Sequence, residues 1–216
     1  ENPSHYLRFD AHEYDEVILD LSRRWRVLAP DMPGQGDSDP ITRHYSIEMY
    51  AEAIVGFLDA LGVKRAAMVG ASVGGSICLA LARDHAERME SVGLVEAPLR
   101  SESDWRGAWW HVEANFSQPT QPADKVSPRF RAFTTALHER WNIDRNKAGG
   151  KTMIDVMWAM REFDSVGALQ NRRAPAAALL GIKGPVMPGK AIFERCLGSE
   201  RVVVLPECGH FPMIDN

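Results

Sequence analysis

Five short stretches of the chain are almost continuously apolar: Arg26–Pro30 (RVLAP), Ala66–Gly70 (AAMVG), Ser91–Glu96 (SVGLVE), Ala176–Ile182 (AAALLGI) and Val202–Pro206 (VVVLP). A strand with one wet face alternates, whereas a strand covered on both faces stays apolar, so these runs predict buried strands of a parallel sheet. Between them the period changes. Ile47–Leu61 sets Met49, Ile54, Phe57, Leu58 and Leu61 mostly on one face and stops at Gly62, the pattern of an amphipathic helix ended by a C′ glycine. Val73–Arg83 and Ala191–Leu197 read as two more helices. Strands alternating with helices predict an α/β fold, a mostly parallel sheet with flanking helices.

Residues 98–170 break that rhythm. They read as helices around Trp105–Ala114, Pro128–Trp141 and Lys151–Glu162, separated by the proline-bearing Gln118–Asp124 and by Gly149-Gly150. So long a helical stretch between two strands is too large for a simple crossover and is expected to be a cap over the carboxyl edge of the sheet. The expected organisation is therefore a core in two parts, 1–97 and 171–216, interrupted by a cap at 98–170.

Composition narrows the function. With 45% hydrophobic and 25% charged residues the chain can bury a core, and a net charge of −4 gives no basic surface for nucleic acid or anionic lipid. No apolar run approaches the roughly 18 residues of a membrane span, and Glu1–Asp10 carries no export signal. Three widely spaced cysteines, Cys78, Cys196 and Cys208, make no CxxC pair, so neither a disulfide scaffold nor a metal is expected and the default setting is cytoplasmic. Five of the six tryptophans fall between residues 105 and 158, inside the expected cap.

The chemistry concentrates in three loops. Gly70-Ala71-Ser72-Val73-Gly74 is a G-x-S-x-G sequence at a strand-to-helix junction, a turn so tight that its flanking positions must be small and its serine is forced outward. The helix that follows points its first amides, beginning with Val73, toward that serine. Asp31-Met32-Pro33-Gly34-Gln35-Gly36-Asp37-Ser38 follows the first expected strand. Near the end, Pro206-Glu207-Cys208-Gly209-His210-Phe211-Pro212 places a histidine after the last strand, completing the chain order in which a nucleophilic serine precedes its base.

Together these loops resemble the α/β-hydrolase superfamily, in which the D-x-x-G-x-G-x-S loop is structural and the late histidine is the general base. Most members of that superfamily carry an aspartate after the strand that follows the cap. Here that stretch is Gly181-Ile182-Lys183-Gly184-Pro185-Val186-Met187-Pro188, and Gly184 stands in the acid's place. A glycine cannot orient an imidazole, so either the triad is broken or the acid sits elsewhere, and Glu96, ending the apolar run Val92–Val95, is the replacement candidate. A glutamate there resembles the haloalkane dehalogenases, whose nucleophile is an aspartate, and the fungal zearalenone-type lactonases, which pair an elbow serine with it and share the His-Phe-Pro loop.

The resemblance implies a cofactor-free ester or lactone hydrolase with Ser72, Glu96 and His210 as its catalytic residues and the Val73 amide in the oxyanion hole. Asn2, in the remnant of a His-Gly-x loop, is the second donor it implies. Trp158 is the positional match to a lactone-binding tryptophan, and Trp105 and Trp109 are expected to wall the pocket. The substrate class is a medium-sized hydrophobic small molecule, and the protein a monomer or homodimer. Two alternatives stay open: a cofactor-free dioxygenase of N-heteroaromatics, and a non-catalytic binding protein on the same scaffold. The family's sheet has eight strands against five legible here, so the chain is expected to be an excerpt of a longer one.

Overall fold

The computed structural model describes residues 15–215. Along the chain come α1 (Asp15–Leu21), α2 (Ile47–Ala60), β1 (Ala66–Ala71), α3 (Val73–Asp84) and β2 (Met89–Val95). After an intervening helical region follow α7 (Ser165–Gln170), β3 (Ala176–Gly181), α8 (Lys190–Leu197), β4 (Val202–Leu205) and α9 (Pro212–Asp215). The four strands form one sheet in the order β1-β2-β3-β4 with every pair parallel.

The pleat sorts the strand residues onto two faces. Met68, Leu94, Ala178 and Leu180 join the main core with Ile54 and Leu58 of α2, Leu79 and Leu81 of α3, Leu169 of α7 and Phe193 of α8. Val69, Ala71, Val95 and Leu179 face the other way, against Ile18 of α1 and Met213 of α9. Because both faces are covered, the strands can be apolar throughout, as the sequence pattern requires.

Arg26–Pro30 is not a strand. Among the described residues β1 is paired only with β2, and the segment runs as an irregular stretch whose Leu28 packs on the core. An apolar run reports burial, and strand geometry additionally needs a ladder partner.

The region between β2 and α7 holds α4 (Glu102–Phe116), α5 (Ala123–Val126), a 3₁₀ turn at Ser127–Arg129 and α6 (Thr135–Glu162). A capping box starts α4: Ser101 accepts from the Asp104 amide, and Asp104 accepts from the Ser101 amide. The expected helix at 128–141 starts later than the pattern suggested, because Phe130 is extended and Thr134 caps a new helix by accepting from Leu137 N. Gly149 breaks α6 into two arms through a left-handed φ of 77°. α7, inside the span expected to be cap, packs instead against α3 and α8. Among the described residues no helix is long and apolar enough to cross a membrane.

The turn between β1 and α3 leaves no room for a side chain. A Cβ on Gly70 would lie 2.1 Å from the Gly74 carbonyl oxygen and 2.8 Å from the Gly75 nitrogen, backbone atoms that cannot swing aside. Gly70→Ala is therefore expected to destabilise the protein by at least about 1–3 kcal/mol, the range for overpacking. Urea unfolding of the variant against the parent measures it, and an unchanged midpoint contradicts the close packing of this turn.

Candidate active site

Register places the site. Ala71 pairs with Val95 and Val95 with Leu179, so the chains leave β1, β2 and β3 along one edge of the sheet. The ladder continues one bond beyond the strands: Ser72 N donates to Val95 O and Glu96 N to Leu179 O, both at 2.9 Å. At that edge two non-glycine residues adopt left-handed backbone, Ser72 at φ 51° and Glu96 at φ 48°. Such conformations cost on the order of 1–3 kcal/mol each and persist where the surroundings over-determine them. Both side chains are thereby turned away from the strand direction and toward the same point.

That point is His210. Its Nε2 lies 3.2 Å from Ser72 Oγ and its Nδ1 lies 3.1 Å from Glu96 Oε2. A carboxylate only accepts, so Nδ1 carries the proton and donates to Glu96, which leaves the Nε2 lone pair facing the serine hydroxyl. Glu96 is fully buried, and its second oxygen accepts from Gly181 N at 2.7 Å. One backbone amide and one imidazole thus compensate a carboxylate that burial alone would disfavour.

Gly184 explains why the acid fits there. A Cβ on residue 184 would lie 2.3 Å from Glu96 Oε2 and 2.4 Å from Oε1. The Glu96 carboxylate occupies the space a side chain from the loop after β3 would take, so an acid at 96 and a side chain at 184 exclude each other. The glycine that looks like a loss in the sequence is the vacancy the glutamate fills.

His210 is fixed by its neighbours on both sides. Its amide donates to Arg129 O at 2.9 Å, and Gly209 N donates to Asp215 Oδ2 at 2.8 Å. Phe211 stacks on Phe130 at 4.9 Å and meets Trp141 edge-on at 5.6 Å. Geometry of this kind holds a ring pair in place beyond simple burial.

Above Ser72 and His210 lies a cavity of about 270 Å³. Its apolar wall includes Phe116, Phe130 and Trp141, with Met153, Met157 and Met160 from the second arm of α6. Val73 also lines it, and as the first residue of α3 its amide has no intrahelical acceptor. From the Asp31–Ser38 loop, Gln35 reaches the cavity, while Asp31 accepts from Asp37 N and its carbonyl accepts from Ser38 Oγ, as a structural loop would.

The chain belongs to the α/β-hydrolase fold family. The family's pattern, described as alpha/beta hydrolase fold, matches residues 9–121. The chain is 42% identical over 80 residues to a 2-hydroxymuconate semialdehyde hydrolase of Pseudomonas sp. (strain CF600), a match that takes in 37% of this chain and only 28% of that protein. It is 32% identical over 222 residues to a pimeloyl-[acyl-carrier protein] methyl ester esterase of Neisseria meningitidis serogroup A, covering 96% of this chain and 69% of the relative. Among solved structures, a bacterial membrane phospholipase A superposes with a TM-score of 0.83 at 25% identity, covering 100% of this chain and 74% of the other.

Within this α/β-hydrolase, the expected tryptophans lie away from the cavity. Trp158 is 38% exposed and packs on Trp109 with ring centroids 4.2 Å apart, and the Arg161 guanidinium sits over both rings. Trp105 is buried in the core beneath Arg100. A helix turns about 100° per residue, so pointing Met157 and Met160 at the cavity rotates Trp158 to the flank. Asn2 lies outside the described residues. The cavity residues that sequence reasoning missed, Trp141, Phe130 and Arg129 among them, come from the irregular connection before α6 and the start of that helix, where no periodicity announced a pocket wall.

The exclusion between positions 96 and 184 is testable. In Gly184→Ala the new methyl displaces the Glu96 carboxylate, and a misplacement of this size is expected to lower turnover of an activated ester such as 4-nitrophenyl acetate about 100-fold. Full activity in a folded Gly184→Ala protein would contradict it.

Proposed function

We propose that the protein is a serine hydrolase that cleaves a carboxylic ester or lactone of a modest-sized, largely apolar small molecule. The observation that carries this reading is the hydrogen-bonded line from Ser72 through His210 to Glu96 at the floor of a largely apolar cavity. Nucleophile, base and orienting acid stand in the order and contact that acyl transfer needs.

In the proposed reaction His210 Nε2 takes the Ser72 proton as Oγ adds to the substrate carbonyl carbon. The oxyanion that forms accepts from the Val73 amide, which the N-terminal end of α3 makes a good donor. As the intermediate collapses the C–O bond breaks and the leaving alkoxide takes the proton from Nε2. Water then gives a proton to Nε2 as its oxygen adds to the acyl carbon, and the intermediate collapses by breaking the acyl C–Oγ bond, with Nε2 returning the proton to Oγ as the acid leaves. Glu96 stays ionised throughout and stabilises the imidazolium formed in both halves. For a lactone, acid and alcohol stay joined as one ring-opened product.

Among the relatives, the pimeloyl-[acyl-carrier protein] methyl ester esterase supports an ester bond as the target. The cavity of about 270 Å³ lies at the lower edge of the usual range for ligand sites, which favours a compact substrate. The cap supplies most of its lining and would set which ester is accepted.

Ser72→Ala is expected to reduce ester turnover by at least about 10³-fold, and Glu96→Gln by about 10⁴-fold by presenting the wrong tautomer of His210. A fluorophosphonate probe should label the parent at Ser72 and leave Ser72→Ala unlabelled. Retained turnover in either variant, or a parent that the probe does not modify, overturns the assignment.

A further inference from the structure

The same cavity contains positive charge that the acyl-transfer reaction does not use. Five titratable side chains line it: Arg129, Arg140, Asp144, Arg145 and His210. His210 is engaged with Ser72 and Glu96. Asp144 is bound by Arg140, with Nε to Oδ2 at 2.8 Å and Nη2 to Oδ1 at 2.7 Å. Two guanidiniums remain, and among the described residues no carboxylate pairs with either.

Arg145 is only 4% exposed. Its Nη2 donates to Asn115 O and Gln118 O at the carboxyl end of α4, while Nε and Nη1 are buried without a hydrogen-bond partner. Arg129 and Arg145 lie over the same two rings, Phe116 and Trp141, with guanidinium carbons 5.3–6.0 Å from the ring centroids. Burial pushes the Arg145 guanidinium down to about 10, and the charge of Arg129 pushes in the same direction. Ring faces offset part of the charge, but a buried N–H without an acceptor costs about 1–3 kcal/mol, more when charged, and two like charges add to it. An anion between the guanidiniums and the cavity relieves all three penalties.

We propose that the Arg129–Arg145 end of the cavity is a carboxylate subsite, so that the substrate is an ester or lactone bearing a free carboxylate in addition to the acyl group that is cleaved. Planar guanidiniums match a carboxylate in geometry and charge. The apolar wall between this end and Ser72 accommodates the carbon chain joining the two groups. The proposal rests on the ester-hydrolase reading for what happens to the substrate, although binding itself does not depend on turnover.

The test therefore measures binding apart from catalysis. Monomethyl esters of straight-chain dicarboxylic acids from succinic to suberic, and the corresponding neutral dimethyl esters, are titrated calorimetrically into the Ser72→Ala protein. At least one monoester is expected to bind tenfold or more tightly than its diester, and Arg129→Met and Arg145→Met in the same background should each reduce that ratio to below about threefold. Because Arg145 also holds two backbone carbonyls, Arg129→Met decides the matter if Arg145→Met fails to fold. Diesters binding as well as monoesters at every chain length, or a preference that survives Arg129→Met, overturns the subsite. If the monoesters bind preferentially yet the parent hydrolyses none of them, the subsite stands and the hydrolytic reading falls.

Discussion

The carboxylate of Glu96 is the constraint on which the rest of the site depends. It is fully buried, and it is held by one amide from the end of β3 and one imidazole from the loop after β4. Remove either partner and a buried charge is left half-compensated, a state costing several kcal/mol, so the three chain segments that meet there must arrive in register. The parallel ladder provides that register, since Glu96 N bonds to Leu179 O one step beyond β2. The left-handed backbone at Glu96 then turns the side chain along the sheet edge toward β3, into the space that Gly184 leaves. Strain at one residue and the absence of a side chain at another belong to a single arrangement.

The helical region between β2 and α7 and the His210 loop are joined by direct contacts. Arg129, in the connection that leads into α6, accepts the His210 amide through its carbonyl, and Phe130 beside it stacks on Phe211. Trp141 joins the same aromatic group from the first turns of α6. These contacts tie the helical region between β2 and α7 to the histidine loop. The kink at Gly149 lets α6 serve two tasks, its first arm closing on the aromatic group and its second lining the cavity with methionines.

Much of this was legible in the sequence, and the exceptions have physical causes. Four of five apolar runs are strands, because continuous apolarity reports burial on two faces and the parallel sheet supplies it. Arg26–Pro30 is buried in part yet joins no strand ladder among the described residues, since apolarity reports burial and not ladder pairing. The G-x-S-x-G turn could be placed because its glycines answer to backbone contacts, as at Gly70, and such requirements are written residue by residue. The meeting of Ser72, Glu96 and His210 was expected from the G-x-S-x-G turn, from Glu96 at the end of an apolar run with Gly184 in the usual acid position, and from the resemblance to α/β-hydrolases; the ladder brings the three side chains together. Cavity walls follow from the azimuth of each helix, and an error of one residue is 100°, which is how Trp158 came to rest on the surface while Met157 beside it faces the cavity.

Polarity in the cavity is divided in a way that follows from these positions. Anything entering it meets apolar walls, the Ser72 hydroxyl at its floor and guanidiniums lying against Phe116 and Trp141. Arg129 belongs to both ends of this description: its side chain faces the cavity while its carbonyl holds the histidine amide. A ligand held by the Arg129 side chain, as proposed, would therefore touch the residue whose carbonyl holds the His210 amide. In the proposed reaction, contact made far from the reacting carbonyl would reach His210 through the single hydrogen bond from its amide to Arg129 O, so that binding energy from the remote part of a substrate acts on the ring that must be aligned in the transition state.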